Sequence, residues 1–353
     1  MTDDSRLAFV GTYTEFDEDG VFGFRLDDEG ELHPTSAMTG GADPTFLAPD
    51  SSGERLYVAN RPEGEGAVVA YDVDRDAGTL RRINQAPTKG NGTPCYCSVD
   101  DTDGWVLTAQ YGGGTVSVLP IDDYGQVHEP VCVLEHEGSG PNEDRQEAPH
   151  PHSVRTGPDN EYAYVPDLGT DTVYVYDFDA ETGTLTPADC GHADVQPGAG
   201  PRHLDFHPTG RWVYLINELD STVTAFERDA RTGELDAFAT VSTLPGGFEG
   251  ENTTADIHVH PAGDYLYGSN RGHDSIAVFE LDGEGRPSLV GTEPTGGEWP
   301  RNFALDPAGE FLFAENADTD DVHTFRVSEG GTLDPTGHVV EVPSPVCLRF
   351  VDE

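Results

Sequence analysis

Short apolar runs recur along the whole chain, and glycine, proline or acidic residues bound most of them. Residues 212–216 form a wholly apolar run, whereas residues 222–226 begin by alternating polar and apolar side chains. Both patterns are typical of β-strands, buried on two faces or on one. Apolar residues at helical spacing do not recur. The pattern therefore predicts an all-β protein.

A unit of about 50 residues repeats through the sequence. Each full unit reads as an apolar strand, a Pro-x-Gly turn, a second strand closed by a polar residue, a third strand, a Gly turn and a fourth strand. The polar residues that close the second strands are Thr12, Asn60, Gln110, Asp167, Asn217, Asn270 and Asn316. Seven units with four strands each predict a seven-bladed β-propeller with four-stranded blades.

The two ends of the chain complement each other. The N-terminal unit offers three strands, at residues 7–12 and 21–26 and near Leu32, and a first strand is missing. Residues 345–350 resemble the first strands of other units. Pairing both termini in one blade would close the ring and remove exposed sheet edges. We therefore expect residues 1–353 to form a single propeller domain, with residues 136–149 as a loop over one face.

The net charge of the chain excludes some classes of function. The 353 residues include 19 Lys and Arg against 66 Asp and Glu, a formal net charge of −47, and Lys89 is the only lysine. Such a chain is unsuited to nucleic acid, which requires a basic surface. The sequence contains no run of about 18 apolar residues, which a membrane span would require. The N-terminus lacks the pattern of a secretory signal. We expect a cytoplasmic, salt-adapted protein, because concentrated salt screens the self-repulsion of an acidic surface.

The five cysteines predict little chemistry. They are odd in number in a chain without a secretory signal, which favours reduced thiols. Cys95 and Cys97 would share one face of a strand, but no second cysteine pair follows to complete a zinc site. No metal and no cofactor are predicted.

The repeat alignment locates a candidate site, because equivalent positions of all blades lie at one end of the central channel. At the start of the first strand, they hold His152, Arg202, Ala255 and Arg301. Directly after the polar residue of the second strand, they hold Arg61, Tyr111, Leu168, Glu218, Arg271 and Ala317. His152, Arg202, Glu218 and Arg271 are expected to face one cavity, where scarce arginines would form a cationic pocket for an anionic ligand.

Structural roles for the same residues stay open. His152 could bond a blade edge, and Arg202 and Arg271 could be ion-pair partners that a buried Glu218 requires. A second group is expected to contact the ligand, and it consists of His150, Arg301, Asp167 and Tyr111. Within that group, Asp167 also fits a turn that caps backbone N–H groups. Tyr111 precedes three glycines that fit a turn with positive φ.

At these residues the chain resembles a known family, the seven-bladed propeller lactonases. The matching segments, which together span nearly the whole chain, include 10–13, 91–94, 111–114, 145–146, 149–154, 165–171, 200–203, 217–219 and 269–276. The family includes 6-phosphogluconolactonases and carboxy-muconate lactonising enzymes. The resemblance implies an active-site set of one His, two Arg and one Glu, which correspond to His152, Arg202, Glu218 and Arg271. It implies no required metal, and it leaves the substrate open.

The resemblance and the predicted pocket favour a lactonase that acts on a small anionic lactone similar to 6-phosphogluconolactone. Arg202 and Arg271 would bind the anionic group and the carbonyl oxygen, and His152 or Glu218 would accept a proton from the attacking water. One alternative is a carboxy-muconate cycloisomerase, and another is a non-catalytic propeller that binds an anion or a protein. A monomer or weak homo-oligomer is expected.

Overall fold

The strands of the described residues form seven four-stranded antiparallel sheets. The computed structural model describes residues 6–15, 17–39, 41–61 and 65–351. Within these ranges, the regular elements are 28 strands and one short 3₁₀ turn, Tyr111–Gly113. No helix in the same ranges is long and apolar enough to cross a membrane. The all-β prediction is confirmed.

Each sheet is one blade, and its first strand lies nearest the central axis. The first blade contains β1 (Arg6–Thr12), β2 (Val21–Leu26), β3 (Leu32–Met38) and, from the far end of the chain, β28 (Pro345–Phe350). The second and third blades contain β4 (Ala42–Pro49), β5 (Arg55–Arg61), β6 (Ala67–Asp74) and β7 (Thr79–Pro87), then β8 (Tyr96–Val99), β9 (Trp105–Gln110), β10 (Thr115–Pro120) and β11 (Cys132–Glu135). The fourth and fifth contain β12 (Arg155–Thr156), β13 (Tyr162–Asp167), β14 (Thr172–Asp179) and β15 (Thr184–Asp194), then β16 (Pro201–Phe206), β17 (Trp212–Asn217), β18 (Thr222–Arg228) and β19 (Leu235–Ser242). The sixth and seventh contain β20 (Thr253–Val259), β21 (Tyr265–Arg271), β22 (Ser275–Leu281) and β23 (Pro287–Pro294), then β24 (Pro300–Leu305), β25 (Phe311–Asn316), β26 (Asp321–Val327) and β27 (Leu333–Glu341).

The ring closes where the two ends of the chain meet. Strand β28 pairs antiparallel with β1, with Ala8 opposite Phe350 and Val10 opposite Leu348. Strand β28 also packs against β24 on one side and β4 on the other, so it completes the inner circle of first strands. The fold is the predicted seven-bladed β-propeller, with the predicted closure.

Burial decreases from the axis toward the rim. The second strands β13, β17 and β25 are buried at every position, because neighbouring blades cover both of their faces. The outer strand β27 instead alternates between buried or half-buried and exposed residues. This gradient explains why some runs in the sequence are wholly apolar and others alternate.

Aromatic side chains join neighbouring blades at the end of the ring opposite the polar residues. A residue at or near the start of one second strand donates a hydrogen bond to a carbonyl in the turn between the third and fourth strands of the next blade. The donor–acceptor pairs are Tyr57–Gly125, Trp105–Ala180, Tyr162–Arg231, Tyr214–Gly285 and Tyr267–Gly331, at 2.8–3.4 Å. Gly285 has a φ of 73°, and a Cβ there would collide with Trp212.

In several blades, the polar residue that closes the second strand is hydrogen-bonded to the start of the third strand. Asn217 Nδ2 donates to Thr222 Oγ1 at 2.9 Å, and Asn316 Nδ2 donates to Asp321 Oδ1 at 2.8 Å. Thr115 Oγ1 donates in the same way to Gln110 Oε1 at 3.0 Å. These bonds hold the strand ends together, so the residue that follows is presented in a defined direction at one end of the channel.

Several acidic residues that crowd the turns have a local structural role. Oδ1 of Asp27 accepts the backbone N–H groups of Glu29 and Glu31, both at 2.9 Å. Oδ1 of Asp282 does the same for two N–H groups in its own turn. Carboxylates that cap turns in this way favour the local fold, so part of the negative charge is built into the blades.

Candidate active site

A cavity of about 470 Å³ opens at one end of the central channel. We call it the mouth cavity, and its lining consists of Tyr13, Cys95, Tyr111, Arg145, His152, Glu218, Arg271, Trp299 and Arg301. All seven blades have the same orientation, so the starts of first strands and the ends of second strands meet at this end. The cavity therefore collects side chains that are distant in the sequence.

Strand register determines which side chains reach the cavity. Pro151, Pro201 and Pro300 lie opposite the polar residues that close their second strands. The residues that follow these prolines are His152, Arg202 and Arg301. The predicted catalytic set lies together at this end of the channel. The cavity is lined by His152, Glu218 and Arg271, and Arg202 lies beneath it in contact with Glu218.

Glu218 is the centre of an arginine cluster. Its Oε1 accepts a hydrogen bond from Arg145 Nη2 at 2.5 Å. Its Oε2 lies 3.0 Å from both Arg202 Nε and Arg271 Nη2. Burial alone would raise the pKa of Glu218, but the three guanidinium groups outweigh burial and lower the pKa to about 2. The carboxylate is thus permanently charged at neutral pH and is a very weak base.

The site contains more arginines than carboxylates, so its net charge is positive. Arg202 and Arg271 are buried, and Arg301 is half-buried at the same site. Burial and the nearby charges of Arg301 and Arg271 lower the pKa of Arg202 to about 9. Arg271 also donates to the backbone oxygen of Thr254 at 2.6 Å, and its guanidinium lies 5.1 Å from the centre of the Trp299 ring. Four guanidinium groups around one carboxylate form a strongly cationic site.

His152 is a neutral imidazole in this setting. Its ring is buried, and burial followed by the charge of Arg202 holds its pKa well below 6.5. Nδ1 lies 3.9 Å from the Cys95 sulfur, and the edge of the ring faces Tyr111. A neutral imidazole can accept a proton from water, as a general base must, and the neighbouring cations oppose that protonation until a bound anion offsets them.

The structure places two of the expected ligand contacts outside the cavity. Asp167 is fully buried and already engaged. Its Oδ1 accepts the N–H groups of His150 and Gly169, and Oδ2 lies 2.6 Å from His136 Nδ1. Asp167 therefore does not line the mouth cavity, because its carboxylate caps a turn, and its contact with a ligand stays a prediction. His150 lies behind Tyr111, with its ring stacked at 4.3 Å and Nδ1 2.9 Å from the Tyr111 carbonyl oxygen.

Tyr111 and Arg301, the other two expected contacts, do line the cavity. Tyr111 begins the 3₁₀ turn that leads into β10, and its hydroxyl lies 3.4 Å from Arg145 Nη2. Arg301 donates from Nε to the hydroxyl of Tyr13 at 2.6 Å.

Four residues of the cavity were not predicted from the sequence: Tyr13, Cys95, Arg145 and Trp299. Tyr13 follows Thr12, and Cys95 follows Pro94, so both occupy the aligned repeat positions and the same alignment could have found them. Arg145 belongs to the loop at residues 136–149, which has no repeat equivalent. Gln146 holds that loop to the blade by donating to the Leu168 carbonyl at 2.8 Å and to Asp171 at 2.7 Å.

The mouth cavity does not suit a metal ion, because three arginines and one carboxylate line it. In the described part of the chain, Asp27, Glu31 and His33 do bring three ligand atoms within 4.8 Å of one another. Asp27 and His33 already form an ion pair there at 2.8 Å, and Asp27 caps a surface turn.

A closed seven-bladed propeller with a cationic cavity at its mouth defines the class of protein. Sequence comparison places the chain within that class: a family described as "Lactonase, 7-bladed beta-propeller" matches residues 7–350. The chain belongs to this lactonase family.

Individual relatives cover almost the whole chain. The 6-phosphogluconolactonase of Bacillus subtilis (strain 168) is 38% identical over 98% of this chain and 99% of its own length. A 6-phosphogluconolactonase of Yersinia pestis (strain Pestoides F) is 33% identical over 89% of each chain. The solved structure of a periplasmic gluconolactonase of Pseudomonas aeruginosa superimposes with a TM-score of 0.93 and 31% identity, covering 99% of both chains.

Proposed function

We propose that this protein is a lactonase that hydrolyses a sugar-acid lactone similar to 6-phosphogluconolactone. The observation that carries the proposal is the neutral imidazole of His152 in a cavity lined by guanidinium groups. A proton acceptor and stabilisers of negative charge are the two requirements of water attack on an ester carbonyl. Family membership and the names of the relatives support the same reaction.

The reaction begins when His152 removes a proton from a water molecule as its oxygen bonds to the lactone carbonyl carbon. The carbonyl oxygen becomes an oxyanion, and Arg271, with Arg202 behind it, stabilises the developing charge. The ring C–O bond then breaks, and the imidazolium of His152 returns the proton to the leaving alkoxide. The product is an open-chain hydroxy acid, which loses one proton to solvent at neutral pH.

The proposed base is His152 rather than Glu218. A carboxylate with a pKa of about 2 has little tendency to accept a proton at neutral pH. Glu218 instead acts as a positioning residue that holds Arg145, Arg202 and Arg271 around the cavity. An anionic substrate would offset the arginine charges that lower the pKa of His152 and so make the imidazole a better base when substrate is bound.

The test is hydrolysis of 6-phosphogluconolactone and gluconolactone in molar KCl, measured against the spontaneous rate. Wild type should accelerate at least one lactone, and His152→Ala should lose about 10²–10⁴-fold of that acceleration. His192→Ala is the matched control, since His192 is an exposed histidine on β15. If wild type accelerates neither lactone, the proposal is wrong, and muconate substrates and anion binding become the next assays.

The cellular setting belongs to the same proposal. We infer a cytoplasmic, salt-adapted protein of carbohydrate metabolism, acting as one propeller unit and as a monomer or weak homo-oligomer. The net charge of −47 supports the salt adaptation and disfavours nucleic acid or anionic membrane surfaces as partners.

A further inference from the structure

Arg301 differs from the other arginines of the mouth cavity in its partners. Arg145, Arg202 and Arg271 all bind Glu218, and between them they contact both of its carboxylate oxygens. For Arg301, no carboxylate of the described chain lies within ion-pair distance. Its one hydrogen bond to the described residues runs from Nε to Tyr13. The two terminal amino groups of Arg301 therefore remain available for a ligand.

Tyr13 orients this guanidinium. The Tyr13 hydroxyl accepts the Nε–H at 2.6 Å, and the guanidinium carbon lies 5.2 Å from the centre of the Tyr13 ring. The hydrogen bond at Nε and the contact with the Tyr13 ring together restrict the rotation of the long Arg301 side chain. The edge that carries both terminal amino groups matches two oxygens of a phosphate monoester.

The blade architecture does not require an arginine at this position. The equivalent positions of four other blades hold Thr45, Cys95, Ala255 and Val346, which are all uncharged. Arg202 occupies the position in the fifth blade, where it is committed to Glu218. Among the described residues, the fold supplies no carboxylate within ion-pair distance of Arg301, and a bound anion would be such a partner.

From these contacts we propose that Arg301, held by Tyr13, binds the phosphate of the substrate and makes the protein prefer a phosphorylated lactone. This inference rests on the proposed function and adds the specificity-determining residue. Relatives at 38% and 33% identity are named 6-phosphogluconolactonase, and one at 31% is named gluconolactonase, so both kinds of substrate occur among similar proteins. The guanidinium of Arg301, which has no carboxylate partner among the described residues, is what favours the phosphorylated form.

The test compares Arg301→Gln with wild type on 6-phosphogluconolactone and gluconolactone under identical salt. We expect kcat/KM for the phosphorylated lactone to fall about 10- to 100-fold, mostly through KM, the effect of losing charge-assisted hydrogen bonds. The value for gluconolactone should change less than about threefold. Arg301→Lys should recover only part of the loss, because an ammonium lacks the planar fork.

Arg61→Gln is the matched control. It removes the same charge near the same end of the ring, but Arg61 pairs with Asp43 at 2.7 Å and does not line the mouth cavity. Both lactones should be hydrolysed by this variant as by wild type.

Binding of inorganic phosphate, measured by calorimetry, separates this inference from the proposed function. Phosphate should bind wild type and Arg61→Gln with equal affinity and Arg301→Gln about 10-fold or more weakly. An equal loss on both lactones, or unchanged phosphate affinity in Arg301→Gln, would overturn the role of Arg301. If wild type hydrolyses neither lactone while phosphate binding still depends on Arg301, the lactonase proposal fails and the phosphate site stands.

Discussion

Nε of Arg202 donates a hydrogen bond to Oε2 of Glu218 at 3.0 Å, between side chains that are 1% and 4% exposed. The same oxygen contacts Arg271, and the other carboxylate oxygen contacts Arg145. One buried anion thus holds three like charges together on the floor and wall of the mouth cavity. Under the proposed function, this arrangement keeps the cations close enough to act on a single substrate group.

Replacing Glu218 with Gln should destabilise the protein strongly. Removing one partner of a buried ion pair costs about 3–5 kcal/mol, because the remaining charges are left uncompensated. Urea unfolding measures the loss, and millimolar phosphate should recover part of it by replacing the missing anion. Glu227→Gln is the control, since Glu227 and Arg211 form an exposed pair worth less than about 1 kcal/mol. Equal losses in the two variants would contradict the central role of Glu218.

The pH dependence of hydrolysis should report His152. Because the pKa of His152 is held well below 6.5, the base stays neutral on acidification, and kcat/KM should fall only well below pH 6.5. Gluconolactone is the suitable substrate, since it has no phosphate that titrates near pH 6. In His152→Gln the remaining slow rate should lack this acid limb. If kcat/KM of the variant falls at low pH as that of wild type does, a titrating group other than His152 causes the fall.

Acid should destabilise the fold partly through His203. Burial, followed by the charge of Arg202, lowers the pKa of His203 from 6.5 to about 3, although Asp256 opposes the shift. The unfolded chain therefore binds a proton at His203 below pH 6.5 that the folded protein does not. The free energy of unfolding is therefore not reduced by His203 above pH 6.5, and it falls as the pH decreases from 6.5 toward 3.

Between pH 6.5 and 4.5, His203 should account for a loss of about 2–3 kcal/mol in the free energy of unfolding. His203→Asn keeps a donor for Asp256 but does not titrate, so its stability should fall less over this range. Denaturant unfolding of both proteins at the two pH values gives the difference. Parallel losses would show that His203 is protonated in the folded state.

Asp167→Ala should loosen the fold near the loop at residues 136–149. The substitution leaves the buried N–H groups of His150 and Gly169 without an acceptor, at about 1–3 kcal/mol each. Limited proteolysis should cut this loop faster than in wild type. Asp177→Ala, at an exposed position of the neighbouring strand β14, is the control and should be cut as wild type is. Unchanged cleavage would return Asp167 to consideration as a ligand contact.

Salt should raise the melting temperature. The acidic side chains that give the net charge of −47 repel one another most strongly in dilute buffer. Molar KCl shortens the screening length to a few Å. We expect partial unfolding at low salt and a higher Tm in molar KCl, measured by thermal scans. A Tm that does not move between the two conditions would show that the acidic surface is not a salt adaptation.

The sequence by itself determined the architecture. Seven spaced polar residues, from Thr12 to Asn316, predict seven blades, and residues 345–350 supply the strand that the first blade lacks. This is possible because each blade repeats one local pattern and contacts mainly its neighbours. The same register predicted that His152, Glu218 and Arg271 face one cavity, since equivalent positions must lie at the same end of the ring.

Only the tertiary structure decided what these side chains do. The alignment places Arg202 and Arg301 at equivalent positions, yet Arg202 is paired with Glu218 and Arg301 is held by a tyrosine. Arg145 enters the site from a loop that has no repeat equivalent, and Asp167 turns away to cap backbone groups. Charge partners depend on distances across the ring between residues far apart in the chain, and a repeat pattern does not contain those distances.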